Sequence, residues 1–181
     1  MKHLFKSFYA LIFVCLTLSS CSENQKIKKT MIEFMKTEII LPSSMTVVNG
    51  KEVEVADLNS LHGNRLIMYV DSMSCSSCRI GHFTDALPLY ELSDSLKNFS
   101  VMAIFSPEQS KLVDVEMQLK LLDFPYPIYI DTKREFAMMN DIPADKRFHD
   151  FMISKDGRVK YVGNPLNGEQ LMLVFKNTLN H

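Results

Sequence analysis

The chain has 181 residues, enough for one domain with an apolar interior plus a leader, and a formal net charge of −1 with 46% hydrophobic residues. Its 20 basic residues are set against 21 acidic ones, so no basic face suited to nucleic acid is implied and partners are expected among proteins or small thiols.

The chain opens with Lys2 and Lys6, an apolar run from Phe8 to Leu18, and the small residues Ser19 and Ser20 before Cys21. That order is a secretory signal, too short for an ordinary spanning helix. Leu18-Ser19-Ser20-Cys21 resembles the lipobox of bacterial lipoproteins, which implies cleavage before Cys21 and lipidation of that cysteine. The other reading is a plain cleaved signal beside a coincidental cysteine. The expected organisation is a signal peptide over 1–20, a tether over 21–29 and one folded domain over 30–181. Of the four cysteines, Cys15 leaves with the leader and an acylated Cys21 is no longer a thiol. Cys75 and Cys78 remain, and in an oxidising compartment they either pair with each other or hold a metal.

Beyond the tether, Ile27, Met31, Phe34 and Met35 recur at helical spacing and predict a helix over 26–37. Residues 37–42 read as extended, and Asn49-Gly50 between two β-branched runs predicts a hairpin across 45–55. After a connector over 57–63, Leu66-Ile67-Met68-Tyr69-Val70 is an apolar strand, followed by a polar loop and Cys75-Ser76-Ser77-Cys78 at the start of an amphipathic helix. A thiol at a helix start meets unpaired N–H groups, which favour the thiolate, so Cys75 is the expected nucleophile. Cys78, one turn further and expected to point inward, is the resolving thiol. The helix is expected to kink at Pro88. Then follow a buried strand over 99–105, a helix over 108–122, a short strand over 127–131, a short helix over 133–140 and the Pro143 loop. A hairpin over 148–162 about Asp156-Gly157 and a closing helix over 169–179 complete the order, predicting an α/β fold with a central sheet and helices on its faces.

At this point the chain resembles the thioredoxin-like superfamily in its TlpA-type, envelope-facing branch. The resemblance spans about Met45 to Leu179 and rests on Asn49-Gly50-Lys51 with the Asp57 connector, the strand before Cys75, the CxxC helix with Pro88, and Phe151-Met152-Ile153-Ser154-Lys155-Asp156-Gly157. It implies a thioredoxin-like fold with a central mixed sheet, an N-terminal helix and hairpin extension, and thiol-disulfide exchange through Cys75 and Cys78 with no cofactor beyond the disulfide. The family's cis-proline, which faces the CxxC, falls on Phe148 with His149 beside it, and the nearest proline is Pro143. These three are the substrate-groove candidates. Tyr69 stands where many relatives keep a buried acid.

The leading expectation is a lipid-anchored oxidoreductase exchanging electrons with envelope protein disulfides or thiols and with an electron donor or acceptor. Asp71 and Arg79 are possible tuners of the pair, and Met73 reads as a packing residue. A second reading is a zinc or copper module that uses Cys75, Cys78, His82 and His149 as a Cys2His2 set. A third is a non-catalytic binding scaffold on the same fold.

Overall fold

The computed structural model describes residues 23–60 and 62–179, so the leader and Cys21 lie outside the described residues. Residues 23–34 form helix α1, which divides from the rest of the chain as a separate unit. Helix therefore begins within the stretch expected to be a tether, and it ends three residues before the expected limit. Past residue 36 the backbone is committed elsewhere: Thr37 accepts a hydrogen bond from Val159 N–H at 3.3 Å, and Ile39 N–H donates to the Gly157 carbonyl at 2.8 Å.

The second unit is built on a seven-stranded mixed sheet. Its strands are β1 (Ser44–Asn49), β2 (Glu52–Asp57), β3 (Asn64–Val70), β4 (Phe99–Phe105), β5 (Ile128–Ile130), β6 (Asp150–Ile153) and β7 (Val159–Val162), in the order β2-β1-β5-β4-β3-β6-β7. β3, β4 and β5 run parallel at the centre, while β1 pairs antiparallel with β5 and β6 antiparallel with β3. The two hairpins stand where their turn residues put them. Gly50 has φ +58° as the first of two residues between β1 and β2, and Gly157 has φ +79° before β7.

β3 and β4 are near-continuous apolar runs because both their faces are covered. Leu66, Met68 and Val70 join Val101, Ala103 and Phe105 in one layer with Phe83, Leu89, Tyr90, Val115, Leu119 and Phe175 from the helical segments and Phe124 from a loop. The alternate residues face the other way, where the Tyr69 ring meets those of Phe136 and His149 with centroids 5.5 and 5.3 Å apart.

The thiol helix is shorter than its sequence pattern suggests. α2 (Ser76–Gly81) stops at His82, a 3₁₀ turn spans Phe83–Ala86, and α3 (Leu87–Asp94) begins afresh. The break is at Gly81-His82 rather than Pro88, and the proline lies in the first turn of α3, where a missing N–H costs nothing. α4 (Leu112–Leu122), α5 (Glu135–Met139) and α6 (Glu169–Leu179) follow, with a 3₁₀ turn over Lys146–Phe148 leading into β6.

Candidate active site

β3 ends at Val70, and the four residues after it form a tight loop. Ser74 N–H donates to the Asp71 carbonyl at 3.1 Å and its hydroxyl donates to the Asp71 carboxylate, so Asp71 holds the loop in shape. Cys75 then caps α2, its Sγ accepting the Cys78 N–H at 3.3 Å, and the two cysteines form a disulfide with Cα atoms 5.3 Å apart. Both cysteines are exposed, which departs from the inward Cys78 expected from spacing. The reason is helical phase: Ser76 and Ile80, four residues apart, are the buried positions of α2, and Cys78 lies between them on the outward side. What distinguishes Cys75 is its place outside the helix, on the receiving end of a backbone N–H.

Beside the disulfide is a cleft of about 180 Å³ lined by Tyr69, Ser74, Cys75, Cys78, Arg79, Lys146, His149 and Asp150. Of the three groove candidates, His149 lines this cleft. Phe148 instead turns into the interior at 1% exposure. Pro143 is not among the lining residues, and the described chain contains no cis peptide. Pro143 acts at one remove: its carbonyl oxygen lies 3.1 Å from His149 Nε2, and since a carbonyl only accepts, Nε2 carries the hydrogen. The His149 carbonyl accepts from Tyr69 N–H at 2.8 Å, which fixes the loop against the central strand.

The structure does not assemble the Cys2His2 set. His82 is an exposed side chain 3.9 Å from Asp85, lining a different cleft with Phe83 and Asn164. Among the described residues no group of three or more His, Cys, Asp or Glu is placed to hold a metal ion. Met73 is 83% exposed, so it is a surface residue at the tip of the thiol loop and not packing.

Two cleft residues were not singled out from sequence. Asp150 opens β6 opposite Met68, with a side chain only 13% exposed. Burial pushes its carboxyl up, while the Arg79 guanidinium 3.8 Å away, an Asn164 hydrogen bond and His149 pull it back. Its Oδ1 is enclosed without a hydrogen-bond donor. Strand parity was the available signal: Asp150 shares its face with Met152, a core residue of the helix-covered layer. Lys146, in the 3₁₀ turn before β6, had no signal, because only the fold brings that turn to the sulfurs. Tyr69, by contrast, offers no free proton acceptor. Burial raises its phenol, and it is hydrogen-bonded to Ser106, which in turn donates to Asp131 Oδ2 at 2.6 Å. Asp131 also accepts the N–H groups of Phe136 and Ala137 at 3.2 and 3.1 Å, so it caps α5.

No protein-family model and no curated protein matches the chain. Solved structures do. A candidate protein disulfide isomerase from Bacteroides thetaiotaomicron is 16% identical with a TM-score of 0.52, covering 81% of this chain and 91% of its own. A candidate electron transfer protein from Aquifex aeolicus is 12% identical with a TM-score of 0.52, covering 81% of this chain and 100% of its own. The thioredoxin domain of a Bacteroides vulgatus thiol-disulfide oxidoreductase is 14% identical with a TM-score of 0.50, covering 80% and 99%. The fold is thioredoxin-like.

Proposed function

We propose that this chain is a thiol-disulfide oxidoreductase of the TlpA-type branch, anchored through a lipid on Cys21 and exchanging electrons with proteins of the cell envelope. The observation that carries the redox reading is the exposed Cys75–Cys78 disulfide at a helix start, beside a cleft holding cations and one buried carboxylate. The names borne by structural neighbours, a candidate disulfide isomerase and a thiol-disulfide oxidoreductase, support it. The anchor and the compartment rest on the leader and on Leu18-Ser19-Ser20-Cys21.

In the reducing direction the Cys75 thiolate attacks one sulfur of a substrate disulfide, expelling the other as a thiolate and forming a mixed disulfide. Cys78 gives up its proton and attacks the Cys75 sulfur, releasing the second substrate thiolate as the Cys75–Cys78 disulfide closes. Two electrons pass from the protein dithiol to the substrate, and the two protons end on the substrate thiols. Asp150, the carboxylate lining the same cleft, is the group suited to take the Cys78 proton, since Tyr69 is engaged with Ser106. Oxidation of substrates runs the same steps in reverse.

The test is equilibration of the purified protein in glutathione buffers, read by mass after alkylation. One two-electron transition confined to Cys75 and Cys78 is expected, with Cys75 alkylating faster than Cys78 in the reduced form. Cys75→Ser should abolish exchange, and Cys78→Ser should leave a mixed disulfide on Cys75 that persists. Thiols that alkylate but never exchange would refute the reading.

A further inference from the structure

The cleft beside the disulfide carries more cation than anion. Arg79 and Lys146 bring two positive charges, against the single carboxylate of Asp150 among the lining residues. Arg79 is partly committed to Asp150, at 3.8 Å. Lys146 has no carboxylate in ion-pair contact among the described residues, whereas its neighbour Arg147 is held by Asp145 through hydrogen bonds from Nε at 3.0 and 2.9 Å. On the neighbouring loops Asp145 is paired with Arg147, while Asp71 keeps its charge and accepts a hydrogen bond from the Ser74 hydroxyl. One unneutralised ammonium therefore stands at the edge of the cleft that both sulfurs line.

The size of the space limits what enters it. At about 180 Å³ it is smaller than the clefts of roughly 300–1,000 Å³ that enclose whole ligands, so it takes one side chain of a larger partner. From this charge and this size we infer that the redox partner presents an acidic side chain next to its reacting cysteine, and that Lys146 selects it. The inference rests on the oxidoreductase reading above. In the encounter the partner's carboxylate pairs with Lys146 in the cleft while the Cys75 thiolate meets the neighbouring sulfur. The pairing is part-solvated, so it steers approach and is weakened by salt.

The experiment uses the reduced full-length protein and three symmetrical peptide disulfides, identical except for Glu, Gln or Lys on either side of the cysteine. Each turnover converts protein dithiol and peptide disulfide into protein disulfide and two peptide thiols, so no further reductant is needed. Rates are divided by those of dithiothreitol with the same peptide, which removes the effect of flanking charge on intrinsic thiol reactivity. The expected result is an order of about ten-fold in favour of Glu over Lys at low ionic strength, shrinking as salt is added. Lys146→Gln should erase most of that preference and Lys146→Glu should invert it. Equal normalised rates for the three peptides, or a preference unchanged in Lys146→Glu, overturn the inference while leaving exchange intact. Failure to react with any peptide, under conditions where dithiothreitol reduces all three, overturns the oxidoreductase reading itself.

Discussion

The buried carboxylate beside the sulfurs has a measurable cost to the fold. Asp150 has its carboxyl pushed up from the ordinary value of 3.8, chiefly by burial. A native state that holds the proton more tightly than the unfolded chain loses stability as pH rises from about that value through the folded one, and the loss is complete above it. Asp150→Asn removes the charge and keeps the shape. The variant should melt at a higher temperature than the parent at neutral pH, and the gap should close as pH falls below the unfolded aspartate range. An equal or lower midpoint at neutral pH would show that the contacts from Arg79 and Asn164 outweigh desolvation. Such a trade of stability for a charge next to reacting groups is common at functional sites. At this scale the sequence showed the sulfurs and not their surroundings. Cys75 and Cys78 are legible because a CxxC is local. Asp150, Lys146 and His149 become neighbours of the sulfurs only when β6 is laid against β3, some eighty residues away in sequence.

Among the elements, those with a strong period were readable and those broken by local competition were not. β4 occupies the residues its apolar run marked, and both hairpins turn at their glycines. The thiol helix was misread past Gly81, because its apolar residues keep helical spacing through a segment whose backbone shortens to 3₁₀ bonds, with His82 N–H reaching Arg79 at 3.3 Å. The Pro143–Asp150 loop departs from the pattern that the resemblance implied, and its packing decides what Phe148 does. Phe148 N–H donates to the Asp145 carbonyl at 2.9 Å, and its ring is fully buried. Phe148→Pro, the change that would restore the proline at the place counted from sequence, deletes both that donor and a large core side chain. It should cost about 3–5 kcal/mol, the range for removing a buried aromatic, read from a denaturant midpoint. A near-parental midpoint would put Phe148 outside the core and return it to the groove. His149, which does line the cleft, is the better residue for altering substrate access.

At the scale of the whole molecule, the lipid proposed on Cys21 is what would tie the domain to a membrane. No helix among the described residues is long and apolar enough to cross one. Loss of Lys2 and Lys6 with the leader would leave 18 basic residues against 21 acidic, a small net negative charge. Under the proposal, attachment comes from the lipid on Cys21. A single acyl chain gives only marginal, reversible binding, whereas two or three chains on one residue hold stably. The Cys21 reading therefore makes two linked predictions. Mass spectrometry of the mature N-terminus should find Cys21 as the first residue carrying more than one acyl chain, and Cys21→Ala should move the protein from the membrane fraction to the soluble one. Thiol titration gives an independent count: the fully reduced mature protein should show two thiols, Cys75 and Cys78, where an unmodified Cys21 would add a third. An unacylated N-terminus at any other residue would sink the anchor while leaving the chemistry of Cys75 and Cys78 as it stands, because the site is assembled entirely from residues beyond the tether.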